Sequence, residues 1–340
     1  MGILDWLFSG NDEATGSTVD PSLIEQRIEQ VVRIINPRLK LVADYRRRLA
    51  PAVKQAVLYC RELEAQIPPA IEASATVWSE NPTLRALFAT ARDIPGVFSR
   101  SRAIQDFFAA KPDADYVWAT LRFLCRETTG FGVAADGGVV RHDVVQTCVS
   151  FTDKKAVLPS GSEHDARIEI RRRIFKFLLT EALQQIAAVD SQRQHLGEQR
   201  SMLQTRLMIL KGQRVGLEAM LEDGDGARQK IEDVKRKLTA NERALAAFPS
   251  AGKTLEEALA RVRDVLMHGP DYIRIGMLKL RLDQMNVLVP AGAGESAVEI
   301  VLPKVVVRSA PVVNLIACSF PRDEFIRSKS LLREAEQLLG

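Results

Sequence analysis

Apolar residues recur along this chain with two different periods, and the switches between them divide it. From Asp20 the period is helical. Asp20-Pro21 reads as an N-cap followed by proline at the first helical position, and Ile24, Ile28, Val31, Val32 and Ile35 share one face. Asn36-Pro37 restarts the pattern through Leu41, Tyr45, Leu49, Val53, Val57 and Cys60, with Pro51 expected to kink or split the run. Pro68-Pro69, Asn81-Pro82 and Lys111-Pro112 mark further breaks, and Ser99 is a candidate cap for a short helix. Residues 20–127 are therefore expected to form a helical domain.

The period changes to two near Thr128. Asp136-Gly137-Gly138 is a hairpin signal, and Val145, Thr147, Val149 and Phe151 alternate with more polar neighbours. Thr152 to Lys155 reads as a further turn before Ala156-Val157-Leu158. This first strand block spans 128–161. A long helix begins near Ser162, with a wide stripe of Ile170, Ile174, Phe177, Leu178 and Ile186. The stripe then narrows to Val189, Leu196, Leu203, Leu210 and Leu217, one every seventh residue, while Arg193, Arg200 and Arg214 interrupt the second seam position.

The glycines of Glu222 to Gly226 end that helix by this reading. A second helix follows, with Ile231, Val234, Leu238, Asn241, Leu245 and Phe248 at spacings of three and four. Segments 162–267 are thus a long helix and an antiparallel coiled-coil hairpin with its turn at Gly224 to Gly226. The return arm would be about 33 Å long at ~1.5 Å per residue. Alternation resumes over 268–320, with Gly276 at a phase change where a bulge is expected. Phe325, Leu332, Ala335 and Leu339 put an amphipathic helix at 321–340. Neither strand block makes a comfortable sheet alone. The expected fold is α+β and mostly helical, with one small antiparallel sheet built from both blocks and the hairpin inserted between them. Two separate sheets are the alternative.

Before all of this lies Met1 to Phe8, an apolar tip carrying Trp6, Leu7 and Phe8. It is tethered by a Gly-, Ser-, Thr- and acid-rich linker to residue 19. With Asp5 inside the tip and no Lys or Arg before Gly10, it does not read as a signal peptide.

Composition narrows the function. With 46% hydrophobic and 26% charged residues, wholesale disorder is excluded for these 340 residues, and no apolar run reaches the ~18–20 residues of a membrane span. Four cysteines without a CxxC do not form a disulfide framework, in keeping with a cytoplasmic setting. Chemical motifs are weak. Gly252-Lys253-Thr254 resembles the end of a phosphate-binding loop, but Ala247 stands where its first glycine belongs; Thr254 and Glu257 fit a capping box better. Asp223 to Gly226 lacks the later oxygen ligands of a calcium loop, since Ala227 and Val234 occupy those positions. His142, Cys148 and Cys125 lack the spacing of a metal site. No catalytic residue, cofactor or metal is assigned.

Charge says more. Between Arg33 and Arg61 there are eight basic residues and one acid, Asp44, against a net +4 for the whole chain. Arg46, Arg47 and Arg48 form one cluster, and Arg171, Arg172 and Arg173 a second on the helix entering the hairpin. Such clusters meet phosphates or anionic lipids, unless acids from elsewhere in the fold cover them. Aromatic residues are only 6% of the chain and few lie among the basic residues, so base stacking is not signalled.

The expectation is a non-enzymatic scaffold or adaptor, cytoplasmic or peripheral to a membrane. Its partner is a protein, or a second copy through the hairpin. The alternatives are a nucleic acid or an anionic membrane surface at the basic helices, or an enzyme with a site assembled from the sheet. For the tip, a membrane, a partner's groove and its own chain are the three candidate contacts. Deleting residues 1–10 is expected to leave Tm within about 2 °C and to reduce association with the partner or with anionic vesicles. A fall of several degrees would make Trp6 and Phe8 core residues instead.

Overall fold

The computed structural model describes residues 19–136, 139–213, 224–248, 254–290, 297–308 and 310–326. The tip with Trp6, Leu7 and Phe8, the Ser250 to Lys253 string and most of the C-terminal amphipathic segment lie outside these residues. Eight α-helices, two short 3-10 helices (Pro37–Leu41 and Gly269–Asp271) and six strands are described. The α-helices are α1 (Pro21–Ile35), α2 (Tyr45–Ala65), α3 (Pro82–Leu87), α4 (Asp93–Ser99), α5 (Arg102–Ala110), α6 (Glu163–Gln213), α7 (Gly224–Ala246) and α8 (Thr254–Met267). The strands are β1 (Ile71–Glu72), β2 (Tyr116–Asp136), β3 (Val139–Ser160), β4 (Ile273–Leu282), β5 (Val298–Val307) and β6 (Ala310–Pro321). The fold class is α+β, as the two periods imply.

The cap chemistry explains most helix starts. Asp20 accepts the Ser22 N–H with Pro21 at the first helical position, and Asn81 accepts from Thr83 and Leu84 ahead of α3. Ser101, not Ser99, caps α5 by accepting from Ile104; Ser99 closes α4, and its hydroxyl accepts the Ile326 N–H. Pro51 does not split α2, which runs unbroken from Tyr45 to Ala65.

Residues 57–176 and 269–326 belong to one compact unit, and residues 19–56 and 177–268 to a second; α2 and α6 supply residues to both. In the first unit the two strand blocks form one sheet in the order β3-β2-β6-β5-β4, antiparallel throughout this path, with β1 added parallel to β6. The sheet begins at Tyr116, inside the region read as helical through residue 127, because its first strand residues pair with β6: Tyr116 with Pro321 through Phe123 with Asn314.

Val117, Ala119, Leu121 and Phe123 point to one face with Ile316, Cys318 and Phe320, where Leu84, Phe88, Ile94, Phe98, Ile104 and Phe108 of the α3–α5 region cover them. Phe98 stacks on Phe320 at 4.7 Å between ring centroids. On β4 and β5 the buried positions change parity: Ile273 and Ile275 give way to Leu280 and Leu282. No bulge accompanies the change, since Gly276 pairs with Lys304 in an unbroken ladder. The strand changes which of its faces is buried, so alternation shifts phase without an inserted residue. Tyr59 of α2 donates its hydroxyl to the Ile273 carbonyl at 2.7 Å, and a Cβ at Gly269 would lie 2.7 Å from the Tyr59 ring, so a side chain there would displace it. Arg167 of α6 binds Glu64, Glu163 and the carbonyls of Ile67 and Pro68, which closes the last turn of α2 onto the start of α6.

Two local expectations fail. Thr152 to Lys155 is not a turn but part of β3, which continues to Ser160. Gly224 to Gly226 is not the hairpin turn but the first turn of α7. Replacing Phe320, fully buried against Phe98, with Ala is expected to lower unfolding free energy by about 3–5 kcal/mol, read as a shift in the urea midpoint at constant m-value.

Candidate functional site

The second unit joins α1, the α2 residues up to 56, the later part of α6, α7 and α8. Along α6 the half-buried residues from Val189 onward are Val189, Arg193, Leu196, Leu203, Leu207 and Leu210, which are the seam positions read from the heptads. On α7 the buried residues are Ile231, Val234 and Asn241, again seam positions. Asn241 is 7% exposed and donates its amide to the Leu196 carbonyl at 3.1 Å and to Gln199 Oε1 at 3.4 Å. Arg200 and Glu242 add an ion pair at 3.2 Å between the same two helices.

Beside these contacts runs a groove of about 960 Å³. Leu196, Met202, Leu203, Ile209, Ala240 and Ala244 supply its apolar surface, and Arg206 and Lys237 its charge; no carboxylate lines it among the described residues. Met202 is 73% exposed and Ile209 56% exposed, large apolar groups left to solvent. Asn241 also lines the groove, and its Oδ1 is buried with no hydrogen-bond donor. A buried amide oxygen without a donor costs free energy that a bound partner can return. Sequence reasoning missed this flank. Its signal was Met202, Arg206 and Ile209 at i, i+4 and i+7, one strip away from the heptad leucines.

The basic clusters are placed differently from a free cationic face. Arg46 donates to Glu29 at 2.8 and 3.1 Å, and Arg48 pairs with Glu256 at 2.6 Å; Arg47 is exposed and has no ion pair among the described residues. In the second cluster Arg173 binds Glu169 at 2.8 Å and Arg172 approaches it at 3.8 Å. Arg171 and Arg172 are half-buried, each with a buried Nε lacking a hydrogen-bond partner. Glu29 and Glu256 are the acids from elsewhere in the fold, and they neutralise two of the three arginines at 46–48. Among the described residues no three His, Cys, Asp or Glu side chains gather at a metal-binding distance, and no helix is long and apolar enough to cross a membrane.

Glu29 carries the largest carboxylate perturbation here. Hydrogen bonds from Lys40, Tyr45 and Arg46 hold its pKa at about 2, below the ordinary 4.5. A depressed carboxylate stabilises the fold above its unfolded pKa and loses that contribution as pH falls through the folded value. Glu29→Gln is expected to cost about 0.5–1 kcal/mol near neutral pH, the partly exposed setting limiting the effect. The difference from the parent should shrink between pH 4.5 and about 2, followed by chemical denaturation across that range. No protein-family model matches the chain, and no curated protein or solved structure matches it significantly.

Proposed function

We propose that this protein is a non-enzymatic adaptor whose α6 and α7 form an antiparallel coiled-coil arm, and that the groove along the arm receives an amphipathic helix of a partner protein. The groove with its apolar floor, cationic rim and donor-seeking Asn241 Oδ1 carries this reading. Two helices side by side offer the seat that a third helix fills in helix-in-groove recognition. Methionine adapts to irregular apolar partners, which suits Met202 to such a seat.

Charge selects the partner. Arg206 and Lys237 are the charged side chains among the described lining residues, so the incoming helix carries Glu or Asp on its flanks. A second copy fits less well. From Asp190 to Lys211, α6 has Arg193, Arg200, Arg206 and Lys211 against Asp190 and Glu198; on α7 the basic side chains outnumber the acids six to four. Two such arms would bring like charge together. The polyanion alternative is weakened by the ion pairs at Arg46 and Arg48.

The test uses two fluorescent helical peptides with the same Leu-rich face, one flanked by Glu and one by Lys. The Glu-flanked peptide should bind with the higher affinity and weaken as salt rises. Replacing both Met202 and Ile209 with Asp should reduce its affinity about tenfold or more while Tm moves by less than about 2 °C. Equal affinity for both peptides, or binding indifferent to the double replacement, would remove the groove as the docking site.

A further inference from the structure

The β2–β3 ladder contains an irregularity that places a lysine where an apolar side chain is expected. Arg122 pairs with Lys155 and Leu124 with Thr152, so Asp153 and Lys154 together stand opposite the single Phe123. Asp153 adopts φ +51°, a left-handed conformation that Asp tolerates better than most residues, and it is held there by Arg122 at 2.6 Å and Lys155 at 2.9 Å. Phe151 and Ala156 on either side belong to the covered face of the sheet. In a regular strand, residue 154 would face away from residue 151. The extra residue turns Lys154 onto the side that Phe151 occupies, which is what a bulge does when it re-aims a side chain.

There Lys154 enters a cleft of about 730 Å³, walled by Trp78, Arg85, Phe151, Asn286 and Ile300. Its ammonium donates to the Phe151 carbonyl at 2.5 Å and sits 5.7 Å from the centre of the Phe88 ring. Those contacts engage a fraction of its three N–H donors. No carboxylate lies within 4 Å of it among the described residues, and burial pushes its pKa down, with Asp93 opposing from farther away. Asp283, the acid in the lining, has Oδ1 engaged by the backbone N–H groups of Met285 and Val287 at 2.8 and 2.9 Å. Arg85 is exposed and makes no ion pair among the described residues.

The walls are fixed beforehand. Trp78 donates its indole N–H to the Phe88 carbonyl at 3.0 Å. Asn286, at φ +59°, donates its amide to the Ala86 carbonyl at 2.9 Å and accepts the Val149 N–H on its own carbonyl at 2.8 Å. Two cations that make no ion pair among the described residues, one of them carried inward by a bulge, border a pre-formed space whose remaining walls include an indole, a phenyl ring and an isoleucine.

We propose that this cleft binds a small organic anion, its carboxylate or phosphate met by Lys154 and Arg85 and its apolar body resting against Trp78 and Phe151. The anion supplies the acceptors that the Lys154 ammonium lacks, and the aromatic walls exclude water from the pair. This site lies in the sheet unit and is independent of the helical groove.

The test follows the Trp78 indole N–H signal by NMR, assigned through its loss in Trp78→Phe, during titration with phenylacetate, phenyl phosphate and the neutral 2-phenylacetamide. At least one anion should shift the signal saturably and bind about tenfold or more tightly than the amide. The tighter of the two tells carboxylate from phosphate. Lys154→Gln should reduce anion affinity by about tenfold, Arg85→Gln severalfold, and Lys154→Arg should retain most of it. Arg85 is exposed, so its variant reports on binding even if Lys154→Gln unfolds. Absence of a saturable shift with both anions, equal affinity for acid and amide, or affinities unchanged in Arg85→Gln and Lys154→Gln would each overturn the proposal.

Discussion

The antiparallel ladder between Tyr116–Phe123 and Asn314–Pro321 joins segments from opposite parts of the chain, and the sheet unit depends on it. Without β6, β2 and β3 would be an isolated hairpin, and β4 and β5 a second one; two-stranded pieces of this kind are marginal in water. With it, the inner residues of both blocks line up across one face, Val117 with Phe320, Ala119 with Cys318 and Leu121 with Ile316. That face is what α3, α4 and α5 cover. The backbone groups of β2 must be paired once they are buried, so the strand starts wherever β6 can reach it. This fixes Tyr116 as its first residue, and the alternation of Val117, Ala119, Leu121 and Phe123 is the strand signal that the helical reading through residue 127 passed over.

Polar groups set within apolar surroundings mark the places where the fold departs from its simplest form. Asn241 is buried on the same helix as Ile231 and Val234, and Lys154 is swung onto the covered face by a bulge. Each carries a cost that an all-apolar choice would avoid. Both line concave surfaces near cations that make no ion pair among the described residues, Lys237 and Arg206 in one case and Arg85 in the other. The arginine clusters that stand out in the sequence behave oppositely. Four of the six, Arg46, Arg48, Arg172 and Arg173, are answered within the chain by Glu29, Glu256 and Glu169, while Arg47 and Arg171 make no ion pair among the described residues.

Local signals in the chain determined much of the architecture. Caps such as Asp20 and Asn81, breaks at Pro68-Pro69 and the alternation after Val145 act within a turn or a strand, and each is expressed where it occurs. The α+β class and the joining of both strand blocks follow from periods and from the need to cover two half-buried faces. Tertiary structure decided what depends on residues far apart. Gly276 sits in a regular ladder because the covered face changes along β4. Thr152 to Lys155 look like a turn but remain a strand, since Arg122 and Leu124 hold both sides of the bulge in register. The cleft was illegible for the same reason. Trp78, Lys154, Asn286 and Ile300 come from four separate stretches of chain, and no period or spacing within one stretch encodes their meeting. Periodicity reports which side of an element is buried; only the packed sheet determines what is buried against it, and which charge is left without a partner.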